Sequence, residues 1–224
     1  GDPGRSRPGC RGGGAMSDER LWARMVDRRS VNRGDQRRAA LLEALDELLR
    51  EQTLEEVNVA EISRKAGVTR SAFYFYFESK ATAVLALMAE LYDDASDATD
   101  LLVKAEGEPR ARIRHVITTL FDSVDRTPHT YRALLEARAT SAAVRELWEA
   151  GRAEFAEMTA EMIERERALG HAQPGADAHV LAAVLLDLND HAVERHAMGV
   201  GPEREAHIDA ITHIWIQSIY GSPA

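Results

Sequence analysis

The 224-residue sequence predicts an all-α protein of about nine helices, and three observations carry that expectation. Apolar residues recur three and four apart along almost every segment after residue 35, the spacing of one helix face. No segment reads as a convincing strand, and no internal repeat is present. Glycine and proline fall between the periodic segments, as in Gly107 with Pro109 and in the loop from Gly170 to Gly175.

The first helix is expected over Asp35 to Gln52, with Leu41, Leu42, Leu45, Leu48 and Leu49 as its core stripe. A second, short helix follows, with Ile62 and Ala66 on one face and Asn58 with Glu61 as a capping box. Gly67 closes it, because glycine adopts the left-handed conformation that a sharp turn needs. Thr69 then caps a third helix in which Phe73 and Phe77, four apart, point to the core. A helix cannot bury all five positions Phe73 to Phe77, so Tyr74, Phe75 and Tyr76 are left for other surfaces.

Ser79 begins a long fourth helix through Val84, Leu85, Leu87, Met88 and Leu91 to about Lys104. Pro109 to Arg126 carries Ile113, Val116, Ile117, Leu120 and Val124 in register. His129 to Ala139, Ser141 to Leu169, Asp177 to Met198 and Pro202 to Tyr220 complete the chain.

Two short helices about a glycine turn form the layout of a helix-turn-helix reader of double-stranded DNA. Such a reader presents the start of its second helix to base edges, here Arg70, Ser71 and Ala72, with the capping Thr69 also among the expected DNA-binding residues. The hydroxyls of Tyr74 and Tyr76 are expected at phosphates, with Phe75 on the same surface and the Lys80 ammonium as a phosphate counter-charge.

The formal charge of −9 divides unevenly along the chain. Residues 1–80 hold 15 basic against 13 acidic side chains, and residues 81–224 hold 13 against 24. Arg20, Arg24, Arg28, Arg29, Arg33, Arg37 and Arg38 face only Asp27 and Asp35 over residues 20–38, a basic arm suited to phosphate or minor-groove contact or else a solvated tail. Residues 1–15 hold six glycines and two prolines and are expected to be disordered, with Met16 a candidate start. The single Cys10 excludes an intrachain disulfide and fits a reducing cytoplasm. No apolar run approaches the ~20 residues of a membrane span.

With these motifs in place, residues 36–86 resemble the DNA-binding domain of the TetR family of transcriptional regulators, through Gly67, Tyr74, Phe77 and Lys80. ARATS at Ala137 to Ser141, ELW at Glu146 to Trp148 and HIWIQSIYG at His213 to Gly221 resemble the EthR-like, ethionamide-resistance repressor branch. The expected division is a basic tail over 1–34, a helix-turn-helix domain over 35–80 and a helical effector-binding and dimerisation domain over 81–224.

The helix from Asp177 to Met198 carries two apolar stripes, one of Leu181, Val184, Leu185, Leu188 and Ala192 and one of Ala182, Leu186, Asn189 and Val193. The last helix adds Ile208, Ile211, Trp215, Ser218 and Ile219. Two faces need burial, and the resemblance implies a homodimer joined through the last two large helices, with Leu188 and Ile211 facing outward.

Trp148, Phe155, Met158 and Thr159, with the stripe Ile113, Val116, Ile117, Leu120 and Val124, either fill a solid core or surround a cavity. The resemblance implies a mostly apolar tunnel for a lipophilic small-molecule effector. Trp148, Thr159, Asn189 and Trp215 match its pocket positions, and Leu186 and Val193 lie beside them. Gly151, Arg152, Phe155, Ile113 and Leu120 depart from it, so a tunnel here has its own shape.

Asp187, Asp190, His191 and Glu194 share a helix face and are either a metal or acid-base cluster or a solvated surface. No phosphate loop or nucleophile elbow accompanies them, and neither enzyme chemistry, a metal nor a cofactor is expected. The expected function is a ligand-responsive repressor of a palindromic operator; the alternative is a dimeric small-molecule binding protein without operator-specific regulation.

Overall fold

The computed structural model describes residues 33–104 and 107–221. Cys10, Met16, Arg20, Arg24, Asp27, Arg28 and Arg29 lie outside the described residues, as do the side chains of Arg33, Asp35 and Leu91. Ten helices and no strand occur among the described residues: α1 Arg33–Leu49, α2 Val59–Lys65, α3 Arg70–Tyr76, α4 Lys80–Leu87, α5 Ala89–Lys104, α6 Pro109–Arg126, α7 Pro128–Thr140, α8 Ala142–Ala168, α9 Ala178–Ala197 and α10 Arg204–Tyr220. The tenth arises because the expected long fourth helix divides at Met88, whose N–H is shared between the carbonyls of Val84 and Leu85 at 3.1 Å each. No glycine or proline marks that division in the sequence; Met88 is buried there and lines a cavity described below.

Helices α1 to α3 form a small reading head. Leu41, Leu45, Leu48 and Leu49 of α1 close over Ile62, Phe73 and Phe77, all buried. Asn58 caps α2 by accepting from the Ala60 N–H at 2.8 Å. Glu61 does not complete the expected capping box; it lies 4.0 Å from Arg64, because one helical turn lets opposite charges three apart meet. The reciprocal box is instead at α4, between Ser79 and Thr82. After α2 the Val68 N–H reaches back to Ser63 O (2.9 Å) and the Gly67 N–H to Arg64 O (3.2 Å), with Gly67 at φ 68°. That helix ending requires a left-handed residue, which is the role of glycine here.

The larger domain packs α5 to α10 around one apolar core continuous with the head. The stripe Ile208, Ile211, Trp215 and Ile219 of α10 is buried within the chain, so Ile211 does not face outward as expected. Its neighbours α6 and α9 supply enough apolar surface to cover it. The large exposed apolar side chains on the last two helices are Val180 and Val184 on α9 and Ile214 on α10, with Leu188 partly buried.

Head and larger domain are joined by polar contacts as well as by packing. Asp46 of α1 accepts from Thr130 Oγ1 at 3.0 Å and pairs with His129 Nε2 at 2.9 Å, both at the start of α7. An open groove of about 600 Å³, lined on one side by Leu49 to Leu54 and on the other by α7 and the end of α9, runs alongside this joint.

Candidate nucleic-acid interface and effector cavity

Helix α3 is seven residues long and begins at a cap: Thr69 Oγ1 accepts from the Ala72 N–H at 3.2 Å. Phe73 and Phe77 point into the head, which forces the remaining aromatics outward. Tyr74 is 49% and Phe75 82% exposed, and Tyr76 is partly buried. Arg70 and Ser71 are exposed at the start of the helix, and Arg70 donates to Tyr74 Oη at 3.4 Å with its guanidinium over the same ring. Arg37 is exposed on α1, whereas Arg38 lies over the Phe77 ring at 5.4 Å and is partly withdrawn into the head.

The expectation for Lys80 is corrected. Its ammonium donates to the carbonyls of Leu54 (2.7 Å), Glu55 (3.0 Å) and Val57 (2.6 Å). An ammonium has three N–H donors, and all three are used. Lys80 therefore ties the α1–α2 connection to the start of α4, and no donor remains for a phosphate. Those carbonyls precede a helix and have no ladder partner, which makes a cation worth holding there.

The cavity lies in the larger domain, with a volume of about 100 Å³. Val116, Leu120, Trp148, Gly151, Arg152, Phe155, Leu186 and Asn189 of the sequence expectation line it. Ile113, Ile117, Val124, Thr159, Val193 and Trp215 are buried in the solid core and do not line it. Met158 is partly buried and does not line it. Sequence reasoning missed Met88, Tyr92, Ala95 and Thr99 from α4–α5 and Leu134 from α7. Only the packing of α5 across α8 brings that first group to the void; no spacing along the chain announces it.

Polar chemistry in this cavity is sparse and specific. Asn189 is 2% exposed, and its Oδ1 accepts from Trp215 Nε1 at 3.0 Å. The indole N–H can only donate, so the amide orientation is settled: oxygen toward Trp215 and nitrogen away from it. That Nδ2 is buried and has no protein partner. On α5, Tyr92 Oη donates to Glu154 at 2.8 Å, and Thr99 donates to Ala95 O at 2.8 Å.

Asp187 and Asp190 are held by Arg152, and Glu194 by Arg138. These contacts place the former candidate metal or acid-base cluster in ion pairs with arginines. Burial pushes the Asp190 carboxyl above its ordinary range even though Arg152 bonds to it. Burial likewise pushes Tyr131, beneath the same carboxylates, well above the usual phenol range. No helix among the described residues is long and apolar enough to cross a membrane.

Known proteins match both parts of this architecture. Residues 41–87 match the family model for bacterial regulatory proteins of the tetR family, and residues 113–221 match that for the C-terminal domain of the transcriptional regulator EthR. The HTH-type transcriptional regulator EthR of Mycolicibacterium smegmatis is 34% identical over 194 residues, 84% of this chain and 88% of that protein. EthR of Mycobacterium tuberculosis is 33% identical over 192 residues, 84% and 89% of the two chains. A TetR-family regulator from Mesorhizobium loti superposes with a TM-score of 0.64 at 18% identity, covering 83% of this chain and 98% of its own, which speaks for the fold. TetR-family regulators bind operator DNA and form dimers. By its helix-turn-helix domain, its EthR-type C-terminal domain and its near full-length likeness to EthR, this chain belongs to the TetR family of transcriptional regulators.

Proposed function

We propose that this regulator is a dimeric repressor, released from a palindromic operator when a lipophilic small molecule enters the cavity. The observation that carries the reading is the pairing of an exposed α3 surface with a buried, unpartnered Asn189 amide in an apolar void. Arg70, Ser71 and Ala72 read base edges, Tyr74, Phe75 and Tyr76 lie along the sugar-phosphate wall, and Thr69, Arg37 and Arg38 fix the approach. Val180, Val184 and Ile214 belong to the surface that a second copy covers. On this reading Val184→Glu dissociates a folded protein, while Ile211→Glu unfolds it, because only the second buries a carboxylate inside one chain.

Ligand pockets for drug-sized molecules span roughly 300–1,000 Å³. The cavity here is smaller, so an effector must part its walls. Two of those walls lead to the head: Met88 sits at the α4–α5 division, and Leu134 is on α7, whose first residues hold Asp46 of α1. A ligand that favours the wider cavity then favours a displaced head, acting only through its differential affinity for the two arrangements.

The test combines two measurements on one apolar library carrying carbonyl groups. Binders should raise the thermal midpoint, about 2.7 kcal/mol of stabilisation at a hundredfold excess over Kd, and release operator DNA in a footprint. Asn189→Leu should keep the footprint and lose the preference for carbonyl-bearing members, and Gly151→Trp should fill the void and block or mimic release. A midpoint and footprint unmoved by every member would refute ligand response. Absence of any salt-sensitive, sequence-specific footprint would instead favour a binding protein without operator regulation.

A further inference from the structure

The apolar cavity ends at a partition that also forms the inner wall of a surface groove of about 510 Å³. Trp148, Arg152 and Asp190 line both spaces. Arg152 of α8 closes the partition against α9: Nε donates to Asp190 (2.5 Å), and Nη2 donates to Asp187 (2.7 Å) and to Ala183 O (3.2 Å). Beside it the Arg138 guanidinium lies 5.1 Å from the Trp148 ring centroid and bonds to Glu194.

The groove and its partition carry three guanidinium groups, Arg138, Arg145 and Arg152, against four carboxylates, Glu149, Asp187, Asp190 and Glu194, so charge there does not balance. One guanidinium serves two carboxylates, and Arg138 is already engaged by a third. Burial is what raises the Asp190 carboxyl, against the bonds from Arg152, and the nearby Glu194 adds to the shift, so a cation at this buried carboxyl would favour its charged form. An anionic group placed here would meet two carboxylates, and a neutral one would leave the deficit in place. A cation would remove it, and the aromatic side chains Tyr92, Phe155 and Trp148 in the cavity lining are of the type that stabilises a cation. Asp187 is 73% exposed, so it can keep Arg152 outside while an ammonium takes the place at Asp190. The buried Asn189 amide nitrogen, a donor with no protein partner in the same cavity, is an independent sign that the void receives a ligand carrying an acceptor along its chain, as in the reading above, whatever the charge of its head group.

We infer that the effector is a cationic amphiphile, with its hydrocarbon chain in the cavity and its ammonium group at the Arg152–Asp187–Asp190 partition. This rests on the ligand-responsive reading above and adds the charge of the head group to it.

The experiment compares three probes of one chain length on the full chain: octyltrimethylammonium, 1-octanol and octanoate, each followed by thermal midpoint and by release of operator DNA. The ammonium probe should act at concentrations at least tenfold below octanol, with octanoate weakest. In the Asp187→Asn/Asp190→Asn double variant that advantage should vanish while the octanol response persists, which also shows that the variant is folded. Asp187→Asn alone, at an exposed position, should reduce the advantage partially. Octanoate matching the ammonium probe, or an ammonium advantage that survives in the double variant, would overturn the inference. Octanol activity without any ammonium advantage overturns the charge assignment and leaves ligand response standing; no response to any of the three overturns both.

Discussion

The reading head and the cavity of the larger domain are built by opposite rules. In the head, the reading turn is set by close neighbours: Asn58, Gly67 and Thr69 set the turn, and Phe73 and Phe77 anchor α3 four residues apart. The cavity collects Met88 from the α4–α5 division and Tyr92, Val116, Leu134, Phe155 and Asn189 from five helices. The head is a filled core with a fixed outer surface, and the cavity is a void whose shape depends on how long helices cross. A locally encoded surface resists deformation, whereas a void assembled from distant segments can open, and that asymmetry is what the proposed release by a ligand requires.

The largest expected effect tests the packing half of this contrast. Phe73→Ala, at a fully buried site, should lower stability by about 3–5 kcal/mol and abolish operator binding. Leu186→Ala borders empty space and is already partly exposed, so it should cost about 2 kcal/mol or less. Urea denaturation of both variants decides it, and equal losses would contradict the distinction between filled head and open cavity.

A smaller effect separates structure from DNA contact within the head. Lys80→Met leaves three carbonyls without their cation and should cost roughly 1.5–3 kcal/mol, a charge-assisted hydrogen-bond loss. The slope of log K against log salt should stay as in the unaltered protein. A slope flatter by about 0.9 would return Lys80 to the phosphate contacts.

The smallest effect probes the joint between the two regions. Burial alone would raise the Asp46 pKa, but hydrogen bonds from Arg50, His129 and Thr130 outweigh it and hold the carboxyl below its ordinary value of 3.8. A depressed carboxyl stabilises the fold above its unfolded pKa and loses that contribution as pH falls through the folded value. The stability gap between the protein and Asp46→Asn should therefore be fully present above pH 3.8 and shrink below it. Denaturation curves across that range check the sign, and a gap that widens on acidification would exclude this role for Asp46.

The same asymmetry governs how much was legible in the chain. Helical periodicity, the Gly67 turn and the outward placement of Tyr74 and Phe75 follow from neighbours within two helical turns, so the sequence alone determined the all-α fold and the reading helix. The part of the pocket carried by α8 and α9, Trp148, Arg152, Phe155 and Asn189, was legible because one helix face repeats at 3.6 residues and matches a known family pattern. Tertiary structure decided the rest. It turned Ile211 inward and Val184 outward, because a stripe states that a face needs cover and not which neighbour provides it. Lys80 was fixed on three carbonyls 23 to 26 residues away, and Arg152 was placed between Asp187 and Asp190 across two helices. Long flexible side chains choose partners by three-dimensional proximity, which local spacing does not encode.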